Sequence, residues 1–539
     1  MQVFRVAVWL PAVKFLTIVH DPVHNLQHRM ESNGLVSRRR FAERIIAGLG
    51  LSAVGERLSL AAPARPPSLL LFLSDDLGYG DLGCYGNPIN RTPQLDALAR
   101  SGCRFTDAHA ASTVCSPARA ALLTGRHPYR LGLYYLVEKD AHLRREEISV
   151  ASLLKARGYD TCFVGKWHVS RLGEKNMGQP SPSDFGFDHW FATEHNAFEG
   201  PHNPRDFIRN GVRVGEAKGW YCDVIVAEAL EWLRRRPDPQ RPFFIYACSH
   251  EPHTPLSPPD TYAELYATAE LDRHQGSVHY GGVPRPEVDL SENRKYYHGT
   301  ITQLDDAFGR LLKGVGSAAP AHEPVVIFTS DNGPEYPVNA IESGGRWQDP
   351  LRDRSFGTAG PLRGMKRYTY EGGHRVPLIL RWPGQVRPGT LSDELVNGTD
   401  LLPTLCDLAG APVPTDRTID GTSFLPLVEG RPLARPLPAL WASPAGYSFT
   451  PNLAMREGRY VLTAWFAPRP VGQRWIEYMT TTRLGDYELY DLRTDVGQSE
   501  NLASREPKRV EQMAATLARL WAGILAEAPR WKEWDRREG

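Results

Sequence analysis

The sequence predicts an α/β fold: a large, mostly parallel sheet sandwiched by helices, with a smaller C-terminal antiparallel sheet plus a helix. Two almost wholly apolar runs, Ser68–Leu73 and Pro324–Thr329, have the length and composition of strands buried on both faces of a sheet. Ile301, Leu304, Phe308, Leu311 and Leu312 recur at helical spacing and lead into the second run, the order of a β-α-β unit. Beyond about residue 430 the texture changes to short apolar segments separated by turns.

Residues 1–64 read as an address rather than as part of the fold. Val3–Val19 is apolar but broken by Arg5, Pro11 and Lys14, so it makes no membrane span. Ser37-Arg38-Arg39-Arg40-Phe41 resembles a twin-arginine export signal, followed by apolar residues from Ile45 to Leu60 and an Ala62-Pro63-Ala64 cleavage site. Such a signal predicts a periplasmic or secreted protein, with Met1 and Met30 both open as the start. The competing reading is a plain basic extension.

A first large domain is expected over 65–430 and a small α+β domain over 431–539. The first buried strand ends in Ser74-Asp75-Asp76. Thr92 is expected to cap a helix that has Pro93 in its first turn, Leu95 and Leu98 on one face, and Gly102 as its stop. The helix through Leu312 is expected to end near Gly314, and the strand after it ends in Ser330-Asp331-Asn332-Gly333. Ligand sites in such sheets lie outside the carboxyl ends of strands, where both acidic pairs fall. Tyr460–Thr463 and Tyr487–Tyr490 read as antiparallel strands. Val510, Met513, Leu517, Leu520 and Ile524 read as the face of a last helix docked on them.

Composition narrows the class. The 539 residues, 41% of them hydrophobic, suffice for about two to four domains. Lys plus Arg number 63 against 62 for Asp plus Glu, a net charge of +1, so nothing predicts binding to nucleic acid or a membrane surface. Seven cysteines form an odd, sparse set without a CxxC pair, which is neither a disulfide framework nor a zinc pattern.

Only Cys115 has a chemically suggestive neighbourhood, Cys115-Ser116-Pro117-Ala118-Arg119 continuing through Leu122 to Thr124-Gly125-Arg126. Pro117 suits a first helical turn and Gly125 a helix end, so Cys115 falls at a helix N-terminus, where free amides and the dipole favour an anion. Arg119, four residues on, returns to the same face and can bind an oxygen at Cys115 or a substrate's anion. The plainer reading is a capped helix with an incidental cysteine.

This stretch resembles the signature of the sulfatase family in the alkaline phosphatase superfamily, C-x-P-x-R followed by x-x-L-x-T-G-R, with every fixed position present. The resemblance runs from about Leu70 to Ala503 and includes Asp75–Asp81, Gly165-Lys166-Trp167-His168 and Pro252-His253-Thr254-Pro255. It continues through Ser330–Gly333, Tyr370-Glu371-Gly372-Gly373 and Glu488–Leu492. The arylsulfatase A and N-acetylgalactosamine-6-sulfatase branches are nearest in general look.

The resemblance implies an alkaline phosphatase-like fold and a sulfuric ester hydrolase whose Cys115 is oxidised to formylglycine by a formylglycine-generating enzyme. One hydroxyl of the hydrated aldehyde attacks sulfur; the second, once deprotonated, expels sulfate and regenerates the aldehyde. Lys166 and His168, two apart and so on one side of an extended segment, are implied to bind sulfate and to assist that release. His253 is implied to protonate the leaving alcohol, with His250 as a rival three residues earlier. Lys366 is implied to be the second sulfate-binding lysine, and Arg367 beside it leaves that assignment open. Asp75, Asp76, Asp331 and Asn332, with the modified Cys115, offer oxygen ligands for a hard cation, Ca2+ first and Mg2+ second. Asp331 is a candidate acceptor for the nucleophile's proton. The expected substrate is a sulfated small molecule or glycan. Its outer wall is expected in Trp190–Asn210 and Pro337–Gly357. Two rival readings are a phosphonate monoester hydrolase with the same nucleophile and metal site, and a catalytically dead glycan-binding protein. The second would predict loss of Cys115, Arg119 or a metal aspartate, and all are present.

Overall fold

The computed structural model describes residues 65–137, 141–173, 177–197, 199–267, 291–318, 323–335, 355–443 and 451–531. The proposed export segment and most of Pro337–Gly357 lie outside them. Among the described residues, no helix is long and apolar enough to cross a membrane.

The large sheet has ten strands among the described residues: β1 (Leu69–Ser74), β2 (Cys103–Phe105), β4 (Asp160–Lys166), β5 (His189–Thr193), β6 (Ile208–Arg209), β7 (Val212–Arg213), β8 (Phe243–Cys248), β9 (Val325–Ser330), β10 (Leu378–Arg381) and β11 (Thr390–Ser392). Their spatial order is β11-β2-β10-β9-β1-β8-β4-β5-β6-β7. The central run β9-β1-β8-β4-β5 is parallel, and the antiparallel pairings involve β10, β6 and β7. A short parallel pair, β3 (Ala108–His109) with β12 (Val396–Asn397), lies outside this sheet.

The parallel strands are continuously apolar because both faces are covered. In β1, Leu69, Leu71 and Leu73 enter one core while Leu70 and Phe72 enter the other. On the second face lie α1 (Pro93–Ser101), α3 (Tyr221–Arg235) and α4 (Ser291–Ala318), through Leu95, Ile225, Ile301 and Phe308. On the first lie α2 (Cys115–Thr124) and α5 (Leu401–Ala409), through Ala120, Leu123, Leu402 and Leu405.

Several local expectations are corrected. The Thr92 hydroxyl does not cap α1; it accepts from the Gly83 N–H and donates to Asp96. The amides of Gln94 and Leu95 donate instead to the carboxylate of Asp305 on α4, at 3.0 and 2.8 Å. Gly314 does not end α4, which continues to Ala318. A Cβ on Gly314 would lie 2.5 Å from Leu230 of α3, so this glycine allows close helix packing. Leu312 is only partly buried. Trp190 is no wall residue: it is 3% exposed in the core, its indole donating to Ser183.

The smaller sheet is an antiparallel meander of β13 (Ala439–Ser443), β14 (Asn452–Glu457), β15 (Tyr460–Phe466) and β16 (Leu484–Asp491). On one face α6 (Pro507–Glu527) buries Met513, Leu517, Trp521 and Ile524, with Val510 and Leu520 partly buried. The opposite face, through Trp441, Ala454, Val461 and Tyr490, packs on Tyr368 and Tyr370.

Candidate active site

Strand ends build the site. β1 stops at Ser74, and Asp76 takes a left-handed φ of 61°, which Asp tolerates better than most residues. The Asp76 amide then donates to Asp331 Oδ1 beyond the end of β9, at 3.2 Å. Asp75, Asp76, Asp331 and Asn332 are all 0% exposed. Cys115 opens α2, as its Pro117 and the left-handed Gly125 predict, and its sulfur lies 3.7 Å from Asp75 Oδ1.

Three cations meet these carboxylates. Arg119 Nε and a terminal guanidinium nitrogen each lie 2.8 Å from Asp331 Oδ2, and that nitrogen is 3.3 Å from Asp75. Lys166 pairs with Asp75 at the end of β4. Lys366 is 2.7 Å from Asp76 and 3.3 Å from Glu335, which also pairs with Arg367. Lys366 is therefore the lysine inside the cluster, and Arg367 lies on the far side of Glu335. The last residues of β4 before Lys166 need Gly165, at φ 106°, because a Cβ there would lie 1.8 Å from the Cys248 carbonyl of β8.

Burial and neighbouring charge set the protonation states. Burial opposes ionisation of Asp76, but Lys366, His253 and Lys166 hold it well below the usual carboxylate range. Burial, with Asp75 beside it, pushes Asp331 up to about 6 despite Arg119. Burial pushes the Cys115 thiol up to about 12, against the pull of Lys166 and Lys366. With Asp331 Oδ2 held by Arg119 and Oδ1 by the Asp76 amide, the carboxylate facing the Cys115 sulfur is Asp75.

The histidines differ in kind. His168 does not share an extended segment with Lys166: the strand has ended and its φ is 53°. It is buried near the site's cations, and burial and then Lys166, His195, Arg119 and His253 hold its pKa well below the usual value. Its Nδ1 is buried without a hydrogen-bond partner among the described residues. His253 lies at the edge, its side chain 14% exposed, with Nε2 3.5 Å from Asp76. Burial holds its pKa well below the usual value although Asp76 works the other way. His250 is 0% exposed; its Nε2 lies 3.3 Å from the Pro255 carbonyl and its Nδ1 receives the Ala197 N–H at 3.4 Å. Both rings have their nitrogens engaged inside the protein, His253 through the Thr254 carbonyl and Asn196, but only His253 is partly exposed and lies beside Asp76.

Two site neighbours were not singled out by the sequence, although Asn196 lies within the Trp190–Asn210 stretch expected to wall the substrate. Asn196 follows β5 and places its amide nitrogen 2.7 Å from His253 Nε2. Glu335 holds Lys366 and Arg367 together. Neither belongs to a local motif, and each joins the site only through a long-range crossover.

The donor set fits a hard cation. Three carboxylates and one amide converge, and Asn332 Oδ1 is buried with no hydrogen-bond partner among the described residues. An orphaned buried oxygen costs about 1–3 kcal/mol unless something cationic meets it. Ligand atoms of Asp75, Asp76, Cys115 and His253 lie within 4.8 Å of one another.

A buried cysteine at the head of a helix, three cations and the oxygen-bearing side chains of Asp75, Asp76, Asp331 and Asn332 thus gather at neighbouring strand ends, an arrangement suited to an anionic ligand beside a cation. The chain belongs to the sulfatase family: the sulfatase family model matches residues 67–411. The model for the C-terminal part of N-sulphoglucosamine sulphohydrolase matches residues 364–522. Human arylsulfatase A is 35% identical over 395 residues, 68% of this chain and 69% of that one. N-acetylgalactosamine-6-sulfatase of Canis lupus familiaris is 34% identical over 419 residues, covering 72% and 71%. In fold the chain is similar to Ps i-CgsB in complex with k-i-k-neocarrahexaose, at TM-score 0.68 and 22% identity over 87% of this chain and 96% of that one. The chain is accordingly a sulfuric ester hydrolase by family.

Proposed function

We propose that this chain hydrolyses sulfate monoesters of a sulfated carbohydrate or an aryl sulfate, using a formylglycine made from Cys115 and a divalent cation. The observation that carries the proposal is Cys115 itself. It is 2% exposed at the head of α2, and a thiol pushed up to about 12 is no nucleophile near neutrality. Its oxidation to an aldehyde, which hydrates, puts a hydroxyl nucleophile at the same point. Arg119, Lys166 and Lys366 offer a triply charged sulfate seat. His168, beside them, takes the proton in the release step, while His253, partly exposed and next to Asp76, the neighbour that favours its charged form, protonates the leaving alcohol once it has taken up a proton. Asp75, Asp76, Asp331 and Asn332, with the modified Cys115, would hold Ca2+ first and Mg2+ second. When bound, such an ion stabilises the ionised nucleophile and draws charge from a sulfate oxygen.

A sugar sulfate is favoured because one similar protein is named an N-acetylgalactosamine-6-sulfatase. The Ser37–Phe41 segment supports export to the periplasm or beyond. Mass spectrometry of the peptide containing Cys115, with kcat/KM on an aryl sulfate and a phosphonate ester, tests the reading. The expected result is aldehyde or its hydrate and a preference for the sulfate. Active protein carrying only unmodified cysteine, or a preference for the phosphonate, overturns it.

A further inference from the structure

Six positions before Cys115, His109 meets His374, eight positions after Lys366, in a second buried cluster that the reaction does not use. The two rings are 3% and 1% exposed, and their Nδ1 atoms are 3.0 Å apart. Their other nitrogens are also engaged: His109 Nε2 lies 2.8 Å from Asp107 Oδ1, and His374 Nε2 3.0 Å from the Thr369 carbonyl. Burial opposes ionisation of Asp107, yet His109, Arg375 and Arg456 hold it well below the usual carboxylate range. Both ends of this chain of contacts are therefore pure acceptors. Each of the three contacts needs one proton, but two neutral imidazoles carry only two between them.

We propose that His109 and His374 share a third proton, forming a buried imidazolium–imidazole pair, and act as positioning residues that clamp the Lys366 loop to the segment entering Cys115. Burial, with the neighbouring His109, pushes His374 down to about 3, so His374 is the member of the pair that accepts through Nδ1. The charged groups facing the pair are Asp107 and Glu371, bridged by Arg375 and Arg456. These two carboxylates and two guanidiniums cancel, so hydrogen-bond geometry and not net charge demands the proton. A divalent ion would meet both guanidiniums, and Glu371 approaches His109 at Nε2 rather than at the facing Nδ1, 4.0 Å away.

The clamp reaches the proposed sulfate seat through the backbone. The Ala110 N–H donates to the His374 carbonyl at 2.6 Å, and the Arg367 N–H to the Thr113 carbonyl at 2.9 Å, two residues before Cys115. His374 closes the loop onto Thr369. Trp441 of the smaller sheet stacks on His374 at 4.1 Å and donates to the Ala110 carbonyl at 2.8 Å. Loss of the third proton sets a lone pair against an acceptor in one of these contacts, which must open.

The catalytic consequence rests on the proposed sulfatase reading; the proton count does not. Between the ordinary imidazole value of about 6.5 and the pH at which the pair releases its proton, the native chain holds a proton the unfolded chain lacks. Stability then falls as pH rises. His374→Gln removes that need, because a glutamine amide can donate both to neutral His109 and to the Thr369 carbonyl. His374→Phe keeps the stack on Trp441 and loses both hydrogen bonds. The experiment compares thermal unfolding from about pH 6 to about pH 9 and kcat/KM on an aryl sulfate for wild type and both variants. Wild-type Tm should fall by roughly 2 °C or more relative to His374→Gln across that range. Wild-type kcat/KM should show a basic limb that His374→Gln lacks, and His374→Phe should lose about tenfold or more at every pH. Parallel Tm profiles for wild type and His374→Gln overturn the shared proton, as does a stoichiometric transition metal that His374→Gln loses. Wild-type kcat/KM in His374→Phe overturns the positioning role. The unfolding comparison needs no turnover, so it remains decisive even in a protein that cleaves no sulfate ester.

Discussion

Arg119→Met removes a guanidinium that touches both Asp75 and Asp331 while keeping most of its length. Arg119 is 1% exposed, and its loss strips two 2.8 Å contacts from Asp331, one of 3.3 Å from Asp75, and the 2.8 Å bond to the Lys166 carbonyl. Breaking a buried ion pair by removing one partner costs about 3–5 kcal/mol, because the surviving charge stays buried. An orphaned carbonyl adds about 1–3 kcal/mol, and Lys166 and Lys366 return part of the total by remaining near the carboxylates. The net expectation is about 3–5 kcal/mol of lost stability in chelator. Calcium should restore more of it to the variant than to wild type, since a dication supplies the missing positive charge between Asp75 and Asp331. Urea unfolding with chelator and with calcium measures both numbers, and turnover of an aryl sulfate should fall about 10²-fold or more. A variant within about 1 kcal/mol of wild type in chelator would refute the argument that Arg119 neutralises this cluster.

His253→Ala should slow alkyl or sugar sulfates by about 10² to 10⁴ and activated aryl sulfates far less, because a phenolate departs without a proton. His250→Ala, altering a fully buried ring, should lower stability without any such dependence on the leaving group; equal slopes for the two variants across a leaving-group series would contradict the assignment. Chelation should abolish turnover, with Ca2+ or Mg2+ restoring it better than Zn2+, and Asp331→Ala should lose both metal and rate; stoichiometric zinc in native active protein would count against the oxygen cradle. Gly373→Ala places a Cβ 1.9 Å from the Tyr368 carbonyl and 2.7 Å from that of Met365, so the Lys366 loop must move. That should cost about 1–3 kcal/mol in urea unfolding and lower kcat/KM at least tenfold, and a variant matching wild type in both would show the loop to be slack.

By itself the sequence determined the architecture and where along the chain the candidate site's segments fall. Both are local properties: a strand buried on two faces must be apolar throughout, as β1 and β9 are, and a helix that opens at Cys115 is marked by Pro117 in its first turn and Gly125 at its end. The acidic pairs were legible for the same reason, since the carboxyl ends of parallel strands are where such sheets place ligands. Periodicity failed wherever the backbone left regular geometry. His168 enters the site through a left-handed turn and not through strand alternation, and Gly314 serves helix packing instead of ending α4. Only the tertiary structure decided which side chains answer each other across the crossovers: Asp305 as the distant cap of α1, Asn196 against His253, Glu335 against Lys366, and His109 against His374. The physical reason is that burial and pairing are properties of three-dimensional neighbourhoods. Whether Cys115 is an inert thiol, or an imidazole pair must hold three protons, depends on charges and acceptors that lie far away in the chain and a few ångströms away in the fold.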